Sequence, residues 1–272
     1  MVGAVRSELR KIFTTRLWWG MLIGVVIVGA GLSAAFAGLV SNDPGAASDQ
    51  GGFGANTAAT MQAVLSAGFI VFSLTALFPL ALGIILITQE FRHKTFTATV
   101  LTTPRRSVVV VSKILAIVVI AAVYAVVYDI ASVAGGAGVL KARGLNTFVT
   151  DPEVVKTLLL MVMAFVVWAL LGFGFGILVR NQIAAVLAGV GVTLILQLAL
   201  NIVFSIKGWE TALKFVPGNL TGSMLITSDS GGLNGPAGPA PFSWWASALI
   251  LVGYAAVMTV VGSVITARRD IT

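Results

Sequence analysis

The sequence predicts an all-α, polytopic membrane protein with six transmembrane helices and an N-terminal amphipathic interfacial helix. Three observations predict it. Mean hydropathy is +1.01, and 58% hydrophobic against 10% charged side chains over 272 residues leaves too few charges to cover a water-facing surface. Apolar runs long enough to cross about 30 Å of hydrocarbon at about 1.5 Å per residue occur six times. The residues ahead of the first run instead alternate apolar and basic side chains with a helical period.

The six runs are 17–40, 63–88, 108–135, 154–179, 183–204 and 242–266. No soluble domain interrupts them, so 1–272 reads as a single transmembrane domain. Lys113 falls inside the third run, where its long stem is expected to snorkel toward the interface. In residues 1–16, Val2, Val5, Leu9, Ile12 and Phe13 fall within a helical arc of about 100°, with Arg6, Glu8, Arg10 and Lys11 outside it. That pattern fits a helix lying in the interface with its basic side toward anionic head groups. The string SAAFAG at 33–38 resembles a signal cleavage site, but the apolar run through it exceeds a usual signal-peptide core. Between the last two runs, 205–243 joins a partly apolar piece, expected to be a short re-entrant or interfacial helix, to the Gly/Pro-rich connector GGLNGPAGPAP.

Across six spans, twelve Lys and Arg fall on one side and five on the other. The positive-inside rule then places both termini in the cytoplasm. Ala, Gly and Val richness points to a bacterial plasma membrane. A pI near 10.2 reflects these inner loops and their attraction to lipid head groups rather than nucleic acid.

Several chemistries are excluded. There is no cysteine, hence no disulfide and no thiol nucleophile. His93 is the single histidine, which removes an H-E-x-x-H metal helix. Asp129 is the one carboxylate clearly within a run, so no acid pair exists there for general acid–base work. The sequence thus offers neither a catalytic set nor a metal site. A phosphate-cradling G-x-x-x-x-G-K-[ST] loop is absent too, and the pairs Lys94-Thr95 and Lys156-Thr157 lack its glycines. Any ATP-driven work needs a separate chain.

Polar residues at membrane depth remain. Asp129, in AVVYDIASV beside Tyr124 and Tyr128, reads either as an ion site or as an interfacial acid paired with Lys141 or Arg143. Gln197 and Asn201 lie one turn apart in LILQLALN and either bond across helices or line a cavity. Gly20-x-x-x-Gly24 and GFGFG at 172–176 permit close helix contact, with Phe173 and Phe175 directed into the core or into an apolar pathway.

The charge island TQEFRHKTFTATVLTTPRRSVVVVSK, 88–113, gathers Glu90, Arg92, His93, Lys94, Arg105, Arg106 and Lys113 between two apolar runs. The basic amphipathic start SELRKIFTTRLWW, two spans, then QEFRHKTFTATVLTTPRRS and a Lys opening the third span together resemble the type-2 ABC exporter permeases. The likeness extends over span number, loop lengths and termini, and departs at His93-Lys94, where related chains often carry a small residue before Thr95. It implies an elbow helix on the inner leaflet containing Glu8, Leu9, Arg10, Lys11 and Phe13. It further implies a coupling segment, 89–107, in which Glu90, Phe91, Arg92, Lys94, Thr95, Phe96, Arg105 and Arg106 meet a separate ATPase. ATP and Mg would reside on that ATPase, in two copies, with a second permease completing a homodimer or heterodimer. The cargo implied is an unidentified amphipathic substrate, exported. A secondary transporter using Asp129 and a non-transporting membrane scaffold are the rival readings.

Overall fold

Inside hydrocarbon a backbone N–H or C=O finds no partner outside its own segment, so long apolar runs close their hydrogen bonds helically. The computed structural model describes residues 2–42, 57–70, 73–92, 106–179, 181–226 and 242–269; it is helical at every apolar run, and no strand occurs among the described residues. In chain order the helices are α1 Val2–Thr14, α2 Leu17–Asn42, α3 Ala58–Ile70, α4 Leu74–Arg92, α5 Arg106–Ala142 and α6 Pro152–Leu178. They continue with α7 Gln182–Lys207, α8 Glu210–Lys214, α9 Pro217–Leu225 and α10 Trp244–Arg269. Five (α2, α5, α6, α7 and α10) are long and apolar enough to cross a membrane singly, and the count is six where the bent pair of α3 and α4 is taken as one span. This is the architecture of a polytopic membrane protein.

The second run is therefore not one rod. α3 and α4 meet at 50°, and Ser73, directly before α4, has φ 49° in the left-handed region. Pro79 lies within α4 without ending it. The third run departs from expectation in the other direction. α5 has 37 residues, about 55 Å of helix against about 30 Å of hydrocarbon. Where the run is expected to end, the glycines are contact points: a Cβ on Gly135 would strike the Ala30 carbonyl of α2, and one on Gly136 would strike Val64 of α3. The helix stops only at Gly144, φ 74°, where Leu145 N–H returns to the Leu140 carbonyl at 3.0 Å.

Caps start the next two spans. The Asp151 carboxylate accepts from Glu153 N–H and Pro152 follows at the first helical position. Asn181 Oδ1 accepts from Ile183 and Ala184 N–H to open α7. Within α7, Gly191–Leu196 is π-wound. Its inward residues Ala185, Gly189, Thr193 and Gln197 are buried at a spacing of four. An α-helix would rotate such a stripe away, and a turn holding more residues straightens it.

α6 is the centre of the bundle, packed against α4, α5 and α10, while α2 lies along α5. α4 and α6 touch backbone to backbone, because a Cβ on Gly83 would collide with the Ala169 carbonyl and one on Gly172 with the Leu80 carbonyl. Of the Gly20-x-x-x-Gly24 pair, only Gly24 is used, admitting the Phe78 ring. Phe69, Tyr128 and Phe165 form an aromatic knot, with Phe165 centred 5.4 Å from each of the other two rings. The apolar piece of 205–243 folds as α9, burying Leu220, Met224 and Leu225 in the bundle. Trp168 Nε1 donates to Thr221 Oγ1 at 3.0 Å, and Thr157 Oγ1 donates to the Leu225 carbonyl at 3.1 Å.

Gly172→Val is expected to lower folding stability by about 1–3 kcal/mol through overpacking at this crossing, read as earlier thermal loss of the monodisperse protein in detergent. Gly138→Val, where an added Cβ meets nothing within 4 Å, is expected to unfold with the wild type.

Candidate functional site

Two polar regions lie at different heights in the bundle. At the end carrying α1, Ile12 is 6% exposed and enters the core, with Leu9 packed against it. Arg6, Arg10 and Lys11 remain exposed, and Phe13, half exposed, meets Trp18 edge-on at 5.3 Å. Glu8 faces the bundle. Its Oε1 accepts from Lys11 Nζ at 2.7 Å and its Oε2 from Lys113 Nζ at 2.8 Å.

Glu8 is 13% exposed and Lys113 5%, so Lys113 does not snorkel as the sequence leads one to expect. A counter-charge inside the bundle is closer than the interface, and pairing removes the cost of burying either charge alone. Burial by itself raises the Glu8 carboxyl pKa, but hydrogen bonds and charge from Lys11 and Lys113 outweigh it and hold the group below its ordinary 4.5. Phe173 lies beside this pair, sharing with Glu8, Ile12 and Lys113 a cavity of about 10 Å³, room for no more than one water. Phe173 is 2% exposed among Ile87, Ile117 and Ile177, and Phe175 packs partly buried on the main core.

The charge island adjoins the same end. Glu90, Phe91 and Arg92 are the last residues of α4, and Arg106 is the first of α5. Lys94, Thr95, Phe96 and Arg105 lie outside the described residues, as do His93 and Arg180. Lys113 is seven residues into α5 from Arg106, so α1 is tied to the helix that leaves the island.

Further along the bundle, the Tyr128 hydroxyl donates to the Leu65 carbonyl at 3.1 Å near the α3–α4 break. Asp129 Oδ1 is buried with no hydrogen-bond partner among the described residues. Pairing with Lys141 or Arg143 is not what the structure holds. Lys141 is twelve positions on in the same unbroken helix, about 18 Å along its axis. Asn201 Nδ2 donates to the Gln197 carbonyl at 2.8 Å and its Oδ1 accepts from Asn219 Nδ2 at 2.7 Å, joining α7 to α9. The Gln197 side chain points toward the first turn of α9, where a Cβ on Gly218 would collide with its Oε1.

Asn219, Ser73 and Thr221 were not legible as site residues, since each stands in ordinary turn-forming or apolar context. The Glu8–Lys113 bond had one available signal, a lone lysine in an apolar run and a lone acid on a basic helix.

The family model described as DUF2705, protein of unknown function, matches residues 41–272. The chain belongs to this family. The DUF2705 match begins at the end of α2 and takes in every later span. No curated protein matches the chain.

A carboxyl whose pKa is depressed on folding stabilises the fold above its unfolded value and loses that contribution as pH falls through the folded value. Docking of α1 is therefore expected to hold from neutral pH down to 4.5 and to fail only below it. A spin label on Thr14→Cys in this cysteine-free chain reads it as a rise in mobility, with Glu8→Ala mobile at every pH. Lys113→Met, which strips one partner from a buried pair, is expected to destabilise docking by about 3 kcal/mol.

Proposed function

We propose that this chain is the permease subunit of an ATP-driven exporter of the type-2 ABC class. It acts as a dimer with two copies of a separate ATPase and sits in a bacterial plasma membrane with both termini in the cytoplasm. The observation that carries the reading is the Glu8 bridge. The basic amphipathic α1 is bonded through Glu8 to Lys113, at the start of the helix that follows the charge island. A force applied to that island from the cytoplasmic side therefore reaches α1 and α5 as one unit, which is what an elbow helix and a coupling segment require of each other. With Arg6 and Arg10 exposed, α1 has a basic side to set on anionic head groups.

In this reading Glu90, Phe91 and Arg92 end the helix that meets the motor, and Lys94, Thr95, Phe96, Arg105 and Arg106 complete the contact surface. Nucleotide-driven closure of the motors pushes on the segment and shifts the spans between two packed arrangements. Six spans make a thin wall, so the substrate path lies between two such chains. A second reading, an ion-gradient transporter, is favoured by one observation: the Asp129 oxygen buried without a hydrogen-bond partner among the described residues.

Charge reversal at Glu90 and Arg92 together is expected to abolish ATPase stimulation and export while leaving the folded membrane chain intact. Unchanged stimulation, or failure of the chain to co-purify with a phosphate-loop ATPase encoded beside it, would sink the coupling proposal. Asp129→Asn is expected to leave ATP-dependent export in place; loss of transport in that variant, with transport running in the absence of ATP, would establish the second reading.

A further inference from the structure

Asp129 lies midway along the apolar depth of the bundle. A Cβ on Gly29 would come 3.0 Å from the Tyr128 ring and 3.3 Å from the Tyr128 carbonyl oxygen. This stretch of α5 is therefore level with the middle of the 26-residue α2, and about 20 Å of apolar helix extends on either side. A carboxyl at such depth is costly unless another charge or a hydrogen-bond donor meets it.

Nothing among the described residues meets it. α5 packs against α1, α2, α3, α4 and α6. Leu17–Asn42 of α2, Ala58–Ile70 of α3 and 157–178 of α6 contain no acidic or basic residue. At the start of α6, Glu153 and Lys156 pair with each other. Glu8 of α1 is bonded at Lys113, sixteen positions back along α5 and so about 24 Å away. The charges of α4, Glu90 and Arg92, close its last turn, beyond Leu86, which shares the small cavity at Lys113. The neighbouring donors are spent: Tyr128 donates to the Leu65 carbonyl at 3.1 Å, and the Ser132 hydroxyl donates to the backbone carbonyl of Asp129 at 3.0 Å.

The carboxyl is enclosed on one side and open on the other. Its Oδ1 is buried without a partner, yet the residue as a whole is only half-buried. Its neighbours Val126 and Ile130 are 49% and 67% exposed, on the same apolar stripe of α5 as Val119 and Val123. Asp129 is thus approached laterally, from hydrocarbon. A hard metal cation needs six or more oxygen ligands, which one carboxylate does not supply. The counter-charges that suit this place are a proton, or a cation whose own body is apolar enough to enter the membrane.

We propose that Asp129 is a lateral binding site for lipophilic cations, which enter beside Val126 and Ile130 and compete with a proton for the carboxyl. Recognition is by charge, since a neutral molecule of the same shape gains nothing from the carboxylate. The proposal bears on the ion-gradient reading by naming what the acid binds, but it rests on the surroundings of Asp129 and requires no transport.

The test uses the full chain in phosphatidylcholine nanodiscs, without ATPase or nucleotide, and radiolabelled tetraphenylphosphonium as probe. Saturable binding is expected at pH 8, competed by unlabelled probe and by dodecyltrimethylammonium but not by triphenylphosphine oxide, which is neutral and similar in shape. Lowering the pH to 5 is expected to weaken it. Asp129→Asn, nearly isosteric and monodisperse in the same discs, is expected to weaken binding by about tenfold or more and to remove its pH dependence. Asp129→Glu is expected to restore both, and Val119→Ala, on the same face about 15 Å away, to bind as the wild type. Absence of saturable binding, equal competition by the phosphine oxide, or wild-type affinity in Asp129→Asn overturns the site. Binding by a chain that moves no ion or cation without ATP would leave the site standing and remove only the ion-gradient reading.

Discussion

Glu8 receives one lysine from its own helix and another from 105 residues further on, and a carboxylate with so little exposure has no low-energy alternative to that pairing. The consequence is positional. α1 is amphipathic, and amphipathicity alone would let it rest anywhere along an apolar surface; the double ion pair gives it one place. Tyr124 reinforces the arrangement by donating its hydroxyl to the Trp18 carbonyl at the start of α2, so α1, α2 and α5 converge on a single point of the bundle. The proposed elbow and coupling segment derive their cooperation from this convergence.

The hydrocarbon solvent made most of the fold legible from sequence. A backbone with no external partner has to be helical, so locating apolar runs located the helices, five of the six as single long helices and the second as a bent pair. The failures share a cause: each depends on contact between elements distant in the chain. The residues around Ser73 are as apolar as those of an intact span, and Pro79 lies inside α4 without ending it. The third run is expected from sequence to end near Gly135, whereas the lack of a side chain at Gly135 and Gly136 is what lets α2 and α3 lie against α5. Gln197 and Asn201 were visible as a polar pair, but their partners on α9 lay in a segment whose depth no hydropathy window could assign.

The polar residues divide by height. At the α1 end full charges are neutralised by each other, as Glu8 with Lys11 and Lys113. Further along the bundle the hydrogen bonds of Tyr128 to Leu65, Trp168 to Thr221 and Asn201 to Asn219 are neutral, with charge kept at Asp129 and in the Glu153–Lys156 pair. Paired full charges fix α1 to one place, whereas each neutral hydrogen bond is worth only about 1 kcal/mol.

The unbroken length of α5 joins these regions. Lys113 and Leu140 sit 27 positions apart on one continuous helix, a strut of about 40 Å. A stiff strut works as a lever: pivoting by roughly 6° sweeps its tip by about 4 Å, nearly the rise of one helical turn. Because Leu140 is packed with Val64 and Val154 toward the other end of α5, a modest nudge near Lys113 arrives there magnified, with no break along α5 to absorb it.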